Sequence, residues 1–208
     1  MRTKLLRTST PGAIEEAAAV LRAGGLVAFP TDTVYGLGAH LDLPRAVERI
    51  FAVKGRAAEK AIPVLLARAE HLESVAQSIP AVAWELAEAF WPGGLTLVLP
   101  RLPRVPDVVV GGGPTVAVRV PNHPIALRLI EETGAPLATT SANRSGRTSP
   151  KTAGEVRREL DGLIDIILDG GRVPGGLEST VLDLTSTPPA VLRRGAIPPE
   201  RLARFLNH

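Results

Sequence analysis

Apolar positions recur at helical spacing in Ile14, Ala17, Ala18 and Leu21, which predicts a helix opening at Thr10-Pro11 and stopped by Gly24-Gly25. A short apolar run, Leu26–Phe29, reads as a strand closed by Pro30. Val47, Ile50 and Phe51 form the stripe of a second helix over Pro44–Val53, and Ile62–Ala67 has the continuous apolar character of a buried strand. Helices follow near Ala69–Ala76 and Pro80–Phe90, the latter halted by Trp91-Pro92-Gly93-Gly94. Thr96–Leu99 and Thr115–Val120 predict strands on either side of a loop holding Gly111-Gly112-Gly113. Then come a helix over Pro124–Glu132, a strand over Leu137–Thr140 and a helix over Thr152–Leu160. The last third is strand-rich, with Asp165–Leu168, Thr180–Leu184 and Ala190–Arg193 ahead of a short helix from Pro198 to Phe205. Strand and helix alternate without a repeat or a low-complexity linker. That pattern predicts an α/β fold: a twisted mixed β-sheet flanked by helices, in a single domain over residues 1–208 with no second domain.

Composition narrows the chemistry. Aromatic residues are 3% of the chain, so Val, Leu, Ile and Ala must build the core. The absence of cysteine excludes disulfides, thiolate metal sites and a cysteine nucleophile together. The net charge of +3 gives little global attraction for nucleic acid, so any preference for phosphate has to be local. The opening residues never reach the apolar length of a signal segment, and no apolar run approaches a membrane span. A cytoplasmic protein without membrane association is the expectation.

Familiar motifs are missing. There is no GxxxxGK[ST] loop, and Gly36-Leu37-Gly38 starts a dinucleotide fingerprint without its third glycine. The four histidines do not approach HExxH spacing, and no serine sits in a GxSxG elbow, so no metal site is expected. Four other segments stand where strands run out into polar turns, the usual place for ligands in α/β sheets. Phe29-Pro-Thr-Asp-Thr-Val-Tyr-Gly-Leu-Gly38 is either a capped turn or a tight loop presenting hydroxyls and free amides. Lys54-Gly55-Arg56, with Lys60 close behind, either answers a helix dipole or holds polyphosphate. Thr139-Thr-Ser-Ala-Asn143, with Ser145-Gly146 and Ser149-Pro150, is a self-satisfied polar loop or an anion nest. The fourth is Gly175-Gly-Leu-Glu-Ser-Thr180, with Arg193-Arg194-Gly195 on a nearby strand end.

Read in order, Pro30-Thr-Asp-Thr-Val-Tyr-Gly36, Lys54-Gly-Arg56, Trp91-Pro-Gly93, Val118-Arg-Val-Pro121, Ser141-Ala-Asn143, Glu178-Ser-Thr180 and Arg193-Arg-Gly195 resemble the signatures of the YrdC-like family, the threonylcarbamoyl-AMP synthases that serve tRNA modification. The likeness covers roughly Ala13 to Pro198, and the chain resembles the family's short, single-domain form. It implies a nucleotidyl transfer in which L-threonine, bicarbonate or CO₂ and ATP give threonylcarbamoyl-adenylate and pyrophosphate, with Mg²⁺ accompanying ATP. By the resemblance, Lys54, Arg56, Ser141 and Asn143 form the catalytic set at the nucleotide. Lys60, Thr115, Ser149 and Arg193 would add nucleotide contacts. Thr33, Arg119, Thr139 and Ser179 would line the threonine pocket, with Arg119 offering a bidentate fork to the carboxylate. Leu65 stands where some family members place a polar side chain, and no role is assigned to it. Proteins that consume the adenylate in tRNA modification would be partners, with weak direct contact to tRNA.

Two rivals share the implied fold. An RNA-binding or ribosome-maturation factor would use a basic concave surface, but few aromatics are available for base stacking and no RNP-type motif is present. A carbamoyl-transfer domain like that of hydrogenase-maturation enzymes would keep company with cysteine zinc motifs, and this chain has no cysteine.

Overall fold

A computed structural model describes residues 2–57, 59–175 and 177–206. The strands are β1 (Lys4–Arg7), β2 (Val27–Pro30), β3 (Tyr35–His40), β4 (Val64–Leu65), β5 (Leu95–Pro100), β6 (Thr115–Arg119), β7 (Leu137–Ser141), β8 (Ile166–Asp169), β9 (Thr180–Asp183) and β10 (Ala190–Arg193). They join in one mixed sheet in the order β1-β8-β2-β3-β7-β4-β6-β5-β9-β10. The helices are α1 (Ala13–Arg22), α2 (Pro44–Lys54), α3 (Ala81–Phe90), α4 (Asp107–Val110), α5 (Pro124–Thr133), α6 (Ala153–Leu160) and α7 (Pro199–Leu206). The expected α/β fold, a twisted mixed sheet flanked by helices, is what these residues form.

Strand alternation gives the sheet two unlike faces. Leu37, Val64, Leu95, Leu97, Leu99, Val116, Val118 and Ile167 point to one side and pack with α2, α3 and α6 into the larger core. Val27, Phe29, Leu65, Leu137, Ile166 and Leu168 point to the other and join the apolar residues of α1 and α5 in a second cluster. α1 and α5 cover only the part of that second face near β2 and β8. Over β6, β5 and β9 it is left open.

Several elements differ from the sequence expectation, each for a local reason. α1 is capped by Gly12 in the left-handed conformation at φ 80°, not by Thr10, whose side chain makes no cap bond. β3 was expected as loop, yet Tyr35–His40 pairs with β2 and β7 along its whole length. Its glycines are required because a Cβ at Gly36 would stand 2.9 Å from Thr139 Cγ2, and one at Gly38 2.8 Å from Phe29 Cε1. The Ile62–Ala67 run is extended, but its ladder shrinks to two residues because Ile62 N donates to Val109 O and Pro63 has no N–H. Ala69–Ser74 is a 3-10 turn, not an α-helix. β1 carries no usable pattern: it is a largely exposed edge strand parallel to β8. α6 follows its sequence signal, with Thr152 Oγ1 accepting from Glu155 N at 3.2 Å and Glu155 Oε2 accepting from Lys151 N at 2.6 Å.

Candidate active site

Strand register assembles a cavity of about 370 Å³, lined by apolar as well as polar side chains, on the open part of the second face. Gly36 pairs with Ser141 and Gly38 with Thr139. Leu65 pairs with Arg119, Val98 with Ala117, and Thr96 with Val181. Paired residues share a face, so the two-residue period brings Thr115, Ala117 and Arg119 of β6 into the same wall as Thr139 and Ser141 of β7. A β-bulge completes it. Val191 pairs with Leu182 but Arg193 with Val181, so one extra residue enters β10 and Leu192 and Arg193 both border the cavity.

Arg119 is 6% exposed, and each of its three nitrogens has a fixed partner. Its Nε donates to Gly93 O at 2.8 Å, Nη1 to Thr33 Oγ1 at 3.0 Å and Nη2 to Asp32 Oδ1 at 2.5 Å. Asn122 N donates to the same Asp32 oxygen at 3.0 Å. Burial pulls the Arg119 pKa down, the Asp32 charge and hydrogen bond oppose that, and Arg193 adds to it. Burial also lowers His123, against the pull of Asp32.

Lys54 is 4% exposed and points behind the cavity wall. Its Nζ donates to Ser141 O and Asn143 O, both at 2.5 Å, and Ser145 N donates back to Lys54 O at 2.9 Å. Asn143 Nδ2 donates to Arg147 O at 2.5 Å, closing the turn. Burial pushes the Lys54 ammonium down to about 8, Arg56 repels it further and Glu178 pulls it back. At the cavity rim Arg193 meets Glu178 through Nη1 and Ser179 Oγ through Nη2 at 3.0 Å. Ser179 Oγ also shares a hydrogen bond with Thr96 Oγ1 at 2.7 Å. Arg56 donates from Nη2 to Ala61 O at 3.0 Å, while its buried Nε has no partner among the described residues. Burial lowers the Arg56 pKa, Glu178 raises it and Arg193 lowers it.

A family model described as "Telomere recombination", that of Sua5, YciO and YrdC, matches residues 19–195. The chain belongs to the Sua5/YciO/YrdC family. Relatives within it include the threonylcarbamoyl-AMP synthase of Pyrococcus abyssi, 50% identical over 93% of this chain and 57% of its own. That of Bacillus subtilis is 45% identical over 99% of this chain and 59% of its own. The chain therefore spans less than three fifths of the length of either relative. A crystal structure of P. abyssi Sua5 complexed with L-threonine superposes with a TM-score of 0.94 at 47% identity, covering 99% of this chain and 61% of that one.

Against this Sua5/YciO/YrdC fold the expected site residues divide clearly. Thr33, Arg119, Thr139 and Ser179 line the cavity, and so do Arg56, Thr115, Ser141 and Arg193. Lys54 and Asn143 do not reach it: they hold the turn that carries Ser141. Ser149 stands outside the wall and donates to Glu178 Oε1 at 3.0 Å, and Lys60 is exposed away from it. Asp32, Glu178 and Thr96 were assigned no part by sequence reasoning. Asp32 and Glu178 lay inside quoted motifs, but nothing in the order of residues shows which arginine each would meet. Leu65 lines the cavity beside Arg119. Among the described residues no group of three His, Cys, Asp or Glu side chains could hold a metal ion. Among them too, no helix is long and apolar enough to cross a membrane.

Proposed function

We propose that this chain carries the threonylcarbamoyl-AMP synthase activity, forming L-threonylcarbamoyladenylate and pyrophosphate from L-threonine, bicarbonate or CO₂, and ATP. The observation that carries this reading is that the four residues expected at the threonine pocket meet Arg56, Thr115, Ser141 and Arg193 of the expected nucleotide set in one cavity. It is supported by relatives that bear the enzyme's name and by the fold shared with Sua5 solved with L-threonine.

The reaction asks for positioning and charge stabilisation more than for a proton carrier. The threonine nitrogen attacks CO₂, a C–N bond forms and the amine gives up a proton. A carbamate oxygen then attacks the α-phosphorus, and the P–O bond to the departing pyrophosphate breaks. Negative charge grows on phosphoryl oxygens, which Arg56 and Arg193 can face from the cavity rim. Thr33, Thr139 and Ser179 offer hydroxyls to the amino acid, and Arg119 presents its remaining N–H groups to the carboxylate. Lys54 works one step back, holding Ser141 in place through the carbonyls of its turn.

Mg²⁺ suits the site as a companion of the triphosphate, held by phosphate oxygens and water, since Asp32 and Glu178 already answer Arg119 and Arg193. When bound it would supply charge neutralisation at the phosphates. The adenylate would feed tRNA modification in the cytoplasm, and the net charge of +3 fits no more than weak direct contact with tRNA. The test is to mix the protein with ATP, L-threonine and bicarbonate and to follow the adenylate by mass together with pyrophosphate release. Product from wild type that falls about 100-fold or more in Arg56→Ala fits the reading; no adenylate from folded wild-type protein overturns it.

A further inference from the structure

The Gly111-Gly112-Gly113 turn has no part in the cavity wall, yet the segment bearing Arg56 rests on it. Gly111 caps α4 at φ 60°, and a Cβ built there would stand 2.3 Å from the Glu59 carbonyl oxygen and 2.9 Å from its carbon. That space is occupied by backbone, which cannot swing aside as a side chain can. Gly112 has a comparable φ of 77° with nothing within 4 Å of its Cβ position. Beside the contact, Ile62 N donates to Val109 O at 2.9 Å, so α4 holds the far end of the connection between α2 and β4. The near end is fixed where Arg56 N donates to Phe51 O at 3.0 Å. Between these ends Arg56 reaches Ala61 O, and its buried Nε has no partner among the described residues. The direction of that guanidinium is therefore set by where its segment sits.

We infer that Gly111 is a positioning residue for Arg56: its bare backbone is the seat that sets how far the Arg56 segment leans over the cavity, and so how tightly the site holds nucleotide phosphates. The inference rests on the nucleotide reading of the cavity. A side chain at position 111 lifts Glu59, and a displacement of about 1 Å at a positioning group costs on the order of 100-fold.

The test pairs Gly111→Ala with Gly112→Ala in the whole chain. Both force an alanine into left-handed backbone, but only the first meets Glu59. Hydrogen exchange over 56–62 in ligand-free protein reads the seat, and the separate KM values for ATP and L-threonine read its consequence. In G111A, exchange should quicken and the ATP KM should rise about tenfold or more, while the threonine KM stays within about twofold. G112A should match wild type in all three. Identical behaviour of the two variants, or a looser segment with an unchanged ATP KM, overturns the inference while wild-type activity keeps the proposed function intact. A wild-type protein that neither makes adenylate nor gains protection over 56–62 with ATP overturns the nucleotide reading and the inference with it.

Discussion

Removing Asp32 tests how the cavity tolerates a buried arginine. Asp32→Ala takes away the carboxylate 2.5 Å from Arg119 Nη2 and leaves a guanidinium of 7% side-chain exposure without a counter-charge. Breaking one side of a buried pair costs about 3–5 kcal/mol, and the 18% exposure of Asp32, which lets water enter the gap, places this case near about 3. Asp32→Asn keeps an oxygen for Nη2 and for Asn122 N, so it should cost about half as much, the difference between a charged and a neutral hydrogen bond. Arg119→Met in the Asp32→Ala background removes the orphaned charge but also leaves Gly93 O unpaired, at about 1–3 kcal/mol. The double variant should therefore be much more stable than the sum of the singles predicts, with a coupling of about 2 kcal/mol. Urea unfolding of the four proteins at constant m-value measures this. Additive single effects, or an Asp32→Ala loss below about 0.5 kcal/mol, would show that Arg119 does not depend on Asp32 and would refute the electrostatic account of the site.

Lys54 carries a pH signature: its folded-state value of about 8 lies below the ordinary 10.5, so between these the unfolded chain holds a proton that the native chain has released. Its contribution to stability must then rise with pH across that window, by about 3 kcal/mol in total, and Lys54→Met should flatten the rise in urea midpoint. Substrate choice reads the hydroxyl wall of Thr33, Thr139 and Ser179: kcat/KM for adenylate formation should fall in the order L-threonine, serine, 2-aminobutyrate, with serine about 10–200-fold below threonine. A 2-aminobutyrate rate equal to that of threonine means the hydroxyl is not read. Gly36→Ala places a Cβ 2.9 Å from Thr139 Cγ2, pushing Thr139 into the cavity, so the threonine KM should rise more than the ATP KM; equal shifts would show general damage instead.

How much of this was legible follows from what period and composition can encode. β5 and β6 were clear because Leu95, Leu97 and Leu99, and Val116 and Val118, mark the core face, which leaves Thr96, Thr115, Ala117 and Arg119 to the other. β3 was hidden because Gly36 and Gly38 answer a steric demand from Phe29 and Thr139 across the sheet, and a glycine demanded by a distant neighbour looks like a turn. The position of Arg193 was also out of reach, since it depends on a register shift between β9 and β10 that no local pattern announces. Lys54 was legible as a partner of Ser141 and Asn143 but not as a clamp on their carbonyls, because the residue type is the same for a phosphate ligand and for a buried staple. Asp32 shows the complementary gap: an inward Arg119 demands an anion, and chain order alone could not say that the protein supplies one itself.

The pairing of charges divides the cavity by ligand type. Arg119 with Asp32 is close to neutral as a unit, so it favours a zwitterion, whose own charges cancel, over a polyanion. Around Glu178 the balance is different, because Lys54, Arg56 and Arg193 all feel that one carboxylate, and the group remains positive after Arg193 has paired with it. Positive charge that the fold already holds at the wall, as with Arg56 and Arg193, needs little reorganisation when phosphates arrive. On the proposed function, an amino acid and a nucleotide would share the cavity without competing for the same cations. The neutral unit stands where β6 ends at Arg119, and the positive one where Arg56 and Arg193 border the cavity beside Glu178, so in the proposed reaction each ligand would meet its own set of cations.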